Sequence, residues 1–349
     1  MSTYDTATLL AVLRTQKVIP PFWSQFFGTA MTFDTDYIDF DKVFIDDRKL
    51  APFVAPNVQG QIMSMEGYET RQFKPAYVKP KHAIDPNMVI PRMAGEALGT
   101  GSMSLGQRRN AVIGELTRKH KVWHQNRMEW LCAKAAQDGG VTISGPNYPS
   151  TFVDFRRDAS LTIVLSGAAK WDQTTATPLA DIQSARVAAN NLSNARPGTL
   201  IFGQTAWNNF CARVNLRDQM SNQYVAGYGT KVTLIPDGYV GVEYMGRIQG
   251  SNGAGAFDVY VDTSKYIDPV TGAMTFFLDQ STVVGIDPDG IGGVKCYGAI
   301  KDFDANFAAL DIYIKMYREN DPSIEYLLSQ SAPLAVPREP NSTFSIKTS

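Results

Sequence analysis

Residues 104–140 read SLGQRRNAVIGELTRKHKVWHQNRMEWLCAKAAQDGG, and this stretch decides the architecture. It holds no proline, Ser102 or Ser104 can cap its start, and Gly139-Gly140 can stop it. Leu105, Val112, Leu116, Trp123, Leu131 and Ala135 recur at roughly helical spacing. The pattern predicts one helix over 104–138. At ~1.5 Å per residue it is a rod of roughly 50 Å, where a globular helix usually runs ~11–12 residues. A rod of that length suits reaching neighbours better than walling a pocket.

The front of the helix is basic. Arg108, Arg109, Arg118, Lys119, Lys121 and Arg127 stand against Glu115 alone, a local net charge of +5. A solvated face accounts for such a run; so does a face turned to a polyanion such as DNA. His120 and His124 lie at i and i+4 and share a side, so a metal-dependent enzyme built on them is one reading. No third ligand stands at a recognised spacing and no HExxH frame is present, which favours structural histidines.

Upstream, residues 36–95 are rich in strand signals. Val58–Phe73 alternates, with Glu66-Gly67 as a turn, and reads as a hairpin; Pro75, Pro80, Pro86 and Pro91 stiffen the return. Two strands alone are marginal in water, so the hairpin must lie on the rest of the chain or on another subunit. Residues 1–35 read as a short helix from Thr6 to Leu13, then a Pro20-Pro21 break and the aromatics Phe22, Trp23, Phe26 and Phe27. The aromatic group fits a core or an arm packed on a neighbour.

Downstream, strands are expected at Val141–Ile143, Phe152–Phe155 and Leu161–Leu165, a helix from Thr177-Pro178 to about Asn194, a buried strand at Thr199–Phe202 and a helix over Ala206–Met220. Residues 230–297 read as strands at Lys231–Pro236, Tyr239–Arg247, Phe257–Asp262, Met274–Leu278 and Val283–Ile286, with turn chemistry between them. Residues 306–318 and 325–336 read as late strands, and the polar tail 337–349 as loose. The layout is mixed α+β without repeats.

The 349 residues carry a net charge of −1, which excludes a generally polycationic nucleic-acid binder. No 18-residue uncharged apolar run exists, so no membrane partner is expected, and Met1–Ile19 lacks the features of a signal peptide, making the cytoplasm the default. The three cysteines, Cys132, Cys211 and Cys296, are scattered and read as free thiols. Gly250–Gly255 is a hairpin tip rather than a dinucleotide fingerprint, and Asp287–Gly290 a turn rather than a calcium loop. Nothing points to a catalytic residue, a metal or a cofactor.

One resemblance is specific. Tyr77–His82 (YVKPKH), continuing through Pro86, Met88, Arg92 and Glu96, is similar to the lambda-type major capsid proteins, the phage major capsid protein E family. Thr6–Leu10, Phe26-Phe27, Tyr297-Gly298, Asp302 and Ser329–Leu334 (SQSAPL) extend the likeness in order along nearly the whole chain; residues 150–230 are similar mainly in their pattern of elements. The resemblance implies the Hong Kong 97 capsid fold: an N-terminal arm over 1–35, an E-loop over 36–95, a P-domain over 96–166 with a spine helix at 104–138, an A-domain over 167–297, and a P-domain strand and closing strand over 298–336. It implies a non-enzymatic shell subunit without cofactor, a virion component assembled in the host cytoplasm. Implied partners are copies of itself in hexamers and pentamers, a separate scaffolding protein, a portal protein, a decoration protein and packaged double-stranded DNA. Expected intersubunit contacts are Phe22, Phe26, Met63, Met65, Tyr68, Tyr77, Lys79, Lys81 and His82; expected DNA-facing residues are the six basic residues of the long helix. An encapsulin-like cargo shell is the nearest alternative.

Overall fold

The computed structural model describes residues 4, 6–16, 21–35, 37–43, 53, 56–57, 59, 68–90, 103–145, 148–214, 241–249, 256–321 and 323–349. Helix α1 (Thr6–Thr15) leads through a single-turn helix (Trp23–Phe26) to β1 (Thr29–Thr32), β2 (Ile38–Val43), β3 (Tyr68–Phe73), β4 (Lys81–Ile84) and the short α2 (Pro86–Val89). The long α3 (Leu105–Asp138) runs into β5 (Gly140–Gly145), β6 (Tyr148–Asp154) and β7 (Thr162–Val164). Then come α4 (Pro178–Ser193), β8 (Thr199–Gly203), α5 (Gln204–Arg213), β9 (Val242–Gln249), β10 (Ala256–Asp262), β11 (Lys265–Ile267), β12 (Met274–Phe276) and β13 (Thr282–Ile286). The chain closes with β14 (Val294–Tyr297), β15 (Tyr313–Glu319), β16 (Ile324–Gln330), β17 (Pro333–Val336) and β18 (Thr343–Lys347).

Helix α3 starts in a reciprocal cap. Ser104 Oγ accepts from Gln107 N–H while the Gln107 side chain accepts from Ser104 N–H, so two orphan donors are met at once. It ends at Gly139, whose φ of 67° is the left-handed conformation a side chain resists. A Cβ there would stand 2.7 Å from that of Arg157. The buried stripe differs in phase from the expected one. Leu105 and Trp123 are exposed, while Ile113, Thr117, His120, His124 and Met128 face inward. Apolarity alone cannot find this stripe, because its middle is polar and is satisfied by hydrogen bonds instead of by apolar contact.

Three cores line the helix and its neighbours. The central one joins the second half of α3 to Trp23, Phe27, β5, β14 and β17. Another fills the space between α4, α5 and the six-stranded sheet. The third, around Leu9, Ile84, Ile113 and Leu327, packs α1, β4, β15 and β16 on the front of α3.

The six-stranded sheet has the order β7-β18-β13-β8-β10-β9. Its second strand, β18, corrects the loose tail: Thr343–Lys347 pairs antiparallel with β13 and parallel with β7. Phe344 and Ile346 are fully buried. Phe344 lies over Gly285, whose missing side chain leaves room for the ring. The polar run before it conceals the short alternating TFSIK strand.

β3 pairs with β2, from Ile38 opposite Phe73 to Val43 opposite Tyr68, while residues 60–65, on which the first strand of the expected hairpin falls, lie outside the described residues. The Glu66-Gly67 turn, the Lys231–Pro236 strand and residues 215–220 lie outside the described residues. The strand expected from 306 begins only at Tyr313, because Asn306 and Phe307 take positive φ values of 49° and 55°.

Candidate functional site: the joints of the long helix

Two appendages, the N-terminal segment and the β2–β3 ribbon with its return strand, are fastened to α3 by buried polar side chains. The first joint is built on Trp23. Its backbone N–H and that of Ser24 donate to the two oxygens of Glu129 on α3, the latter at 2.9 Å. Its indole Nε1 donates to Asp262 Oδ2 at 2.7 Å. Burial raises the Glu129 carboxyl to about 7 against the pull of these donors, and raises Asp262 as well. Phe22 and Phe26 sit in the same core, 3% and 7% exposed. Within the subunit they hold the segment onto the central core.

The second joint holds the return of the ribbon. β4 adds to the edge of β16, His82 opposite Leu327, with Lys81 and His82 pointing to opposite sides as strand alternation requires. Lys81 Nζ lies 3.6 Å from the centre of the Tyr326 ring. Tyr77 accepts from the Lys301 N–H, and Lys79 stands over the Tyr77 ring at 4.9 Å. Tyr77, Lys81 and His82 are thus joint residues within one subunit. Tyr68 contributes backbone pairing in β3; Met63 and Met65 lie outside the described residues.

His82 Nδ1 is 2.9 Å from His120 Nε2. His120 Nδ1 and His124 Nε2 both reach the Ser329 hydroxyl, at 2.7 and 2.8 Å. His120 and His124 thus share a serine, and no group of three metal-ligating side chains is present among the described residues. Burial pushes both imidazoles down to about 4.

The six basic residues of α3 do not form one face. Arg109 makes a two-pronged ion pair with Glu325, at 2.9 and 2.8 Å. Lys121 donates to the carbonyls of Leu13 and Gln16, at 2.9 and 2.6 Å, closing the end of α1. Arg127 is half-buried with its guanidinium 5.3 Å from the Trp130 ring. Arg108 donates to the Ile90 carbonyl at 2.8 Å. Arg118 and Lys119 are exposed and both pair with Glu115, at 2.9 and 4.0 Å.

The sequence reading passed over two exposed apolar groups. Phe303, 84% exposed, meets Phe307 edge to face, and Ile267, Val270 and Met274 crown the β11–β12 hairpin. Large apolar side chains left in water mark contact surfaces. Nothing in the sequence flags them, since Met274 and Phe307 fall inside stretches that read as strands.

The arrangement is a spine with fastened appendages, without a catalytic constellation among the described residues, and the sequence comparison says what it serves. A profile of the family described as phage major capsid protein E matches residues 5–348. The chain belongs to the phage major capsid protein E family. The major capsid protein of Escherichia phage lambda is 26% identical over 361 residues, covering 99% of both chains. That of Escherichia phage N15 is 27% identical with the same coverage. A crystal structure described as that of a prophage capsid protein of E. coli CFT073 superposes with a TM-score of 0.72 at 23% identity, covering 100% of each chain. The fold is of the Hong Kong 97 type, as the resemblance implied. This major capsid protein is a structural subunit that assembles with copies of itself into an icosahedral shell, and the enzyme and encapsulin readings fall away.

Proposed function

We propose that the segment distal to the β2–β3 ribbon is what this capsid subunit lays on its neighbour, and that α3 is the spine against which that reach is braced. The supporting observation is the ribbon's two unlike ends. Its base is anchored by fully buried Ile38 and by Phe73 against Phe155, ring centres 5.5 Å apart. Its far end, Val43 opposite Tyr68, opens into residues 44–67. A two-stranded ribbon is marginal alone, so a long extension from it gains from a second surface. Met63 and Met65 belong to that extension, and the exposed Phe303 and Phe307 offer an aromatic surface for a copy. The domain division proposed here is arm 1–35, E-loop 36–95, P-domain 96–166, A-domain 167–297 and a P-domain strand and closing strand over 298–336, with β18 added to the A-domain sheet.

The remaining partners follow from the same role. Exposed Arg118 and Lys119 are the residues proposed to meet packaged double-stranded DNA by phosphate contact without base readout. A separate scaffolding protein is proposed as a further partner. A portal protein and a decoration protein complete the proposed set, with assembly in the host cytoplasm.

Joining Val43 to Tyr68 through an Asn-Gly turn in place of 44–67 tests the reach. The ribbon keeps its register and the base keeps Phe73, which a deletion of Val58–Phe73 would not. Folded, cooperatively melting subunits that form no shells by electron microscopy are expected. Normal shells would refute the proposal.

A further inference from the structure

The three histidines of the chain, one from β4 and two from α3, meet at a serine of β16, and this meeting point is the seam between the ribbon's return and the spine. His120 and Ser329 are fully buried and His124 nearly so. Trp123, half-exposed, stacks on His82 with ring centres 5.0 Å apart. We propose that His82–His120–Ser329–His124 is a proton-operated latch, closed when its imidazoles are neutral and opened when the His82–His120 pair takes up two protons.

The argument is one of hydrogen counting. A neutral imidazole carries one N–H and one bare nitrogen. With one proton per ring every link finds one donor and one acceptor: His82 can donate to His120, His120 to Ser329 and Ser329 to His124, or all three links can run the reverse way. His124 Nδ1 ends the chain with no hydrogen-bond partner among the described residues. One extra proton on His120 is tolerated, because His82 can move its own proton to its other nitrogen and accept. A second is not: both nitrogens of the 2.9 Å contact would then be N–H donors, and two cations would stand with ring centres 5.1 Å apart.

Among the described residues the surroundings offer these cations no relief. Lys119 on α3 acts against charge on His82. Glu115 is taken by Arg118 and Lys119, and Glu325 of β16 by Arg109. Lys121 is turned to the end of α1, and Lys81 of β4 points away to Tyr317 and Tyr326. Lys315 of β15 is paired with Asp302 and Asp304. Because β4 keeps its ladder to β16, opening separates the sheet from the helix and leaves the sheet intact. The latch does not depend on what residues 44–67 touch, so it is tested on unassembled subunits.

The full-length subunit is titrated from pH 8 to 4 while Trp123 emission is followed as wild type minus Trp123→Phe, with far-UV circular dichroism in parallel. A transition below pH 6, steeper than one proton and with secondary structure retained, is expected. His82→Gln, at the half-exposed end of the chain, should lower the steepness to one proton or abolish the change, whether or not His120→Gln folds. A featureless titration, an unaltered transition in His82→Gln, or simultaneous loss of secondary structure would overturn the latch.

Discussion

Arg157 follows β6, yet it is bound to three other elements. Its Nη1 donates to Ala136 O at 2.8 Å and to Thr343 Oγ1 at 3.3 Å. Its Nη2 donates to Gln137 O at 2.8 Å, Thr162 Oγ1 at 2.8 Å and Ser345 Oγ at 3.0 Å. One guanidinium thereby closes the carbonyl end of α3 and ties it to β7 and β18. No carboxylate contacts it among the described residues; the partial negative charge of the helix end takes that place. Burial lowers it from 12.5 to about 10, a cost of about 3 kcal/mol to the charged form. The four N–H groups of Nη1 and Nη2, one of them shared between two acceptors, at the low end of about 1.5 kcal/mol each, offset that cost and leave roughly 3 kcal/mol net. Arg157→Ala should lower subunit stability by about 3–5 kcal/mol, the range for stripping one side from a buried charged network. Arg157→Lys, with three donors and no planar fork, should recover less than half of it. Urea unfolding of the unassembled subunit measures both. A loss under about 1 kcal/mol for alanine would show that water or the hydroxyls replace the guanidinium, and would refute the reasoning.

Glu129 titrates in the folded subunit near 7 and in the unfolded chain near 4.5, so the arm's joint is strongest at low pH. Its contribution is complete below about 4.5 and is lost as pH rises through 7, up to about 3 kcal/mol; Glu129→Gln should flatten that slope in stability measured from pH 5 to 8. The buried histidines tilt stability the other way, since the unfolded chain binds their protons first as pH falls from 6.5 towards 4, so the slopes are compared in single variants. Removing residues 337–349 should abolish cooperative melting, and Phe344→Ala alone should cost about 3–5 kcal/mol; a truncated chain that melts like the full one would return the tail to a loose role. Glutamate at Arg118 and Lys119 together should permit empty shells yet lower DNA retention, measured as DNA per shell at rising salt; unchanged retention would leave only a solvated face.

The long helix, its serine cap and its glycine stop were legible in residues 104–140 because they follow from local chemistry: hydrogen bonds between near neighbours and a φ only glycine takes cheaply. The order of strands and helices was legible for the same reason, and the YVKPKH and SQSAPL segments pointed to the capsid family that the comparison then established. Four things waited for tertiary structure. β3 found its partner in β2, a strand the sequence reading had not singled out, because the base of that ribbon, Ile38 and Phe73, packs into the core. β18 entered the centre of a sheet although a polar stretch precedes it, because Phe344 found the gap over Gly285. The basic residues of α3 scattered to Glu325, the end of α1 and Trp130, since a helix turns successive charges to different neighbours. His82, 38 residues from His120, joined it through a fold no spacing rule anticipates. Local propensity acts between residues a few positions apart and can be read from the chain. Pairing, burial and the fate of a buried charge depend on which distant surfaces close on it, and that is fixed only when the whole subunit packs.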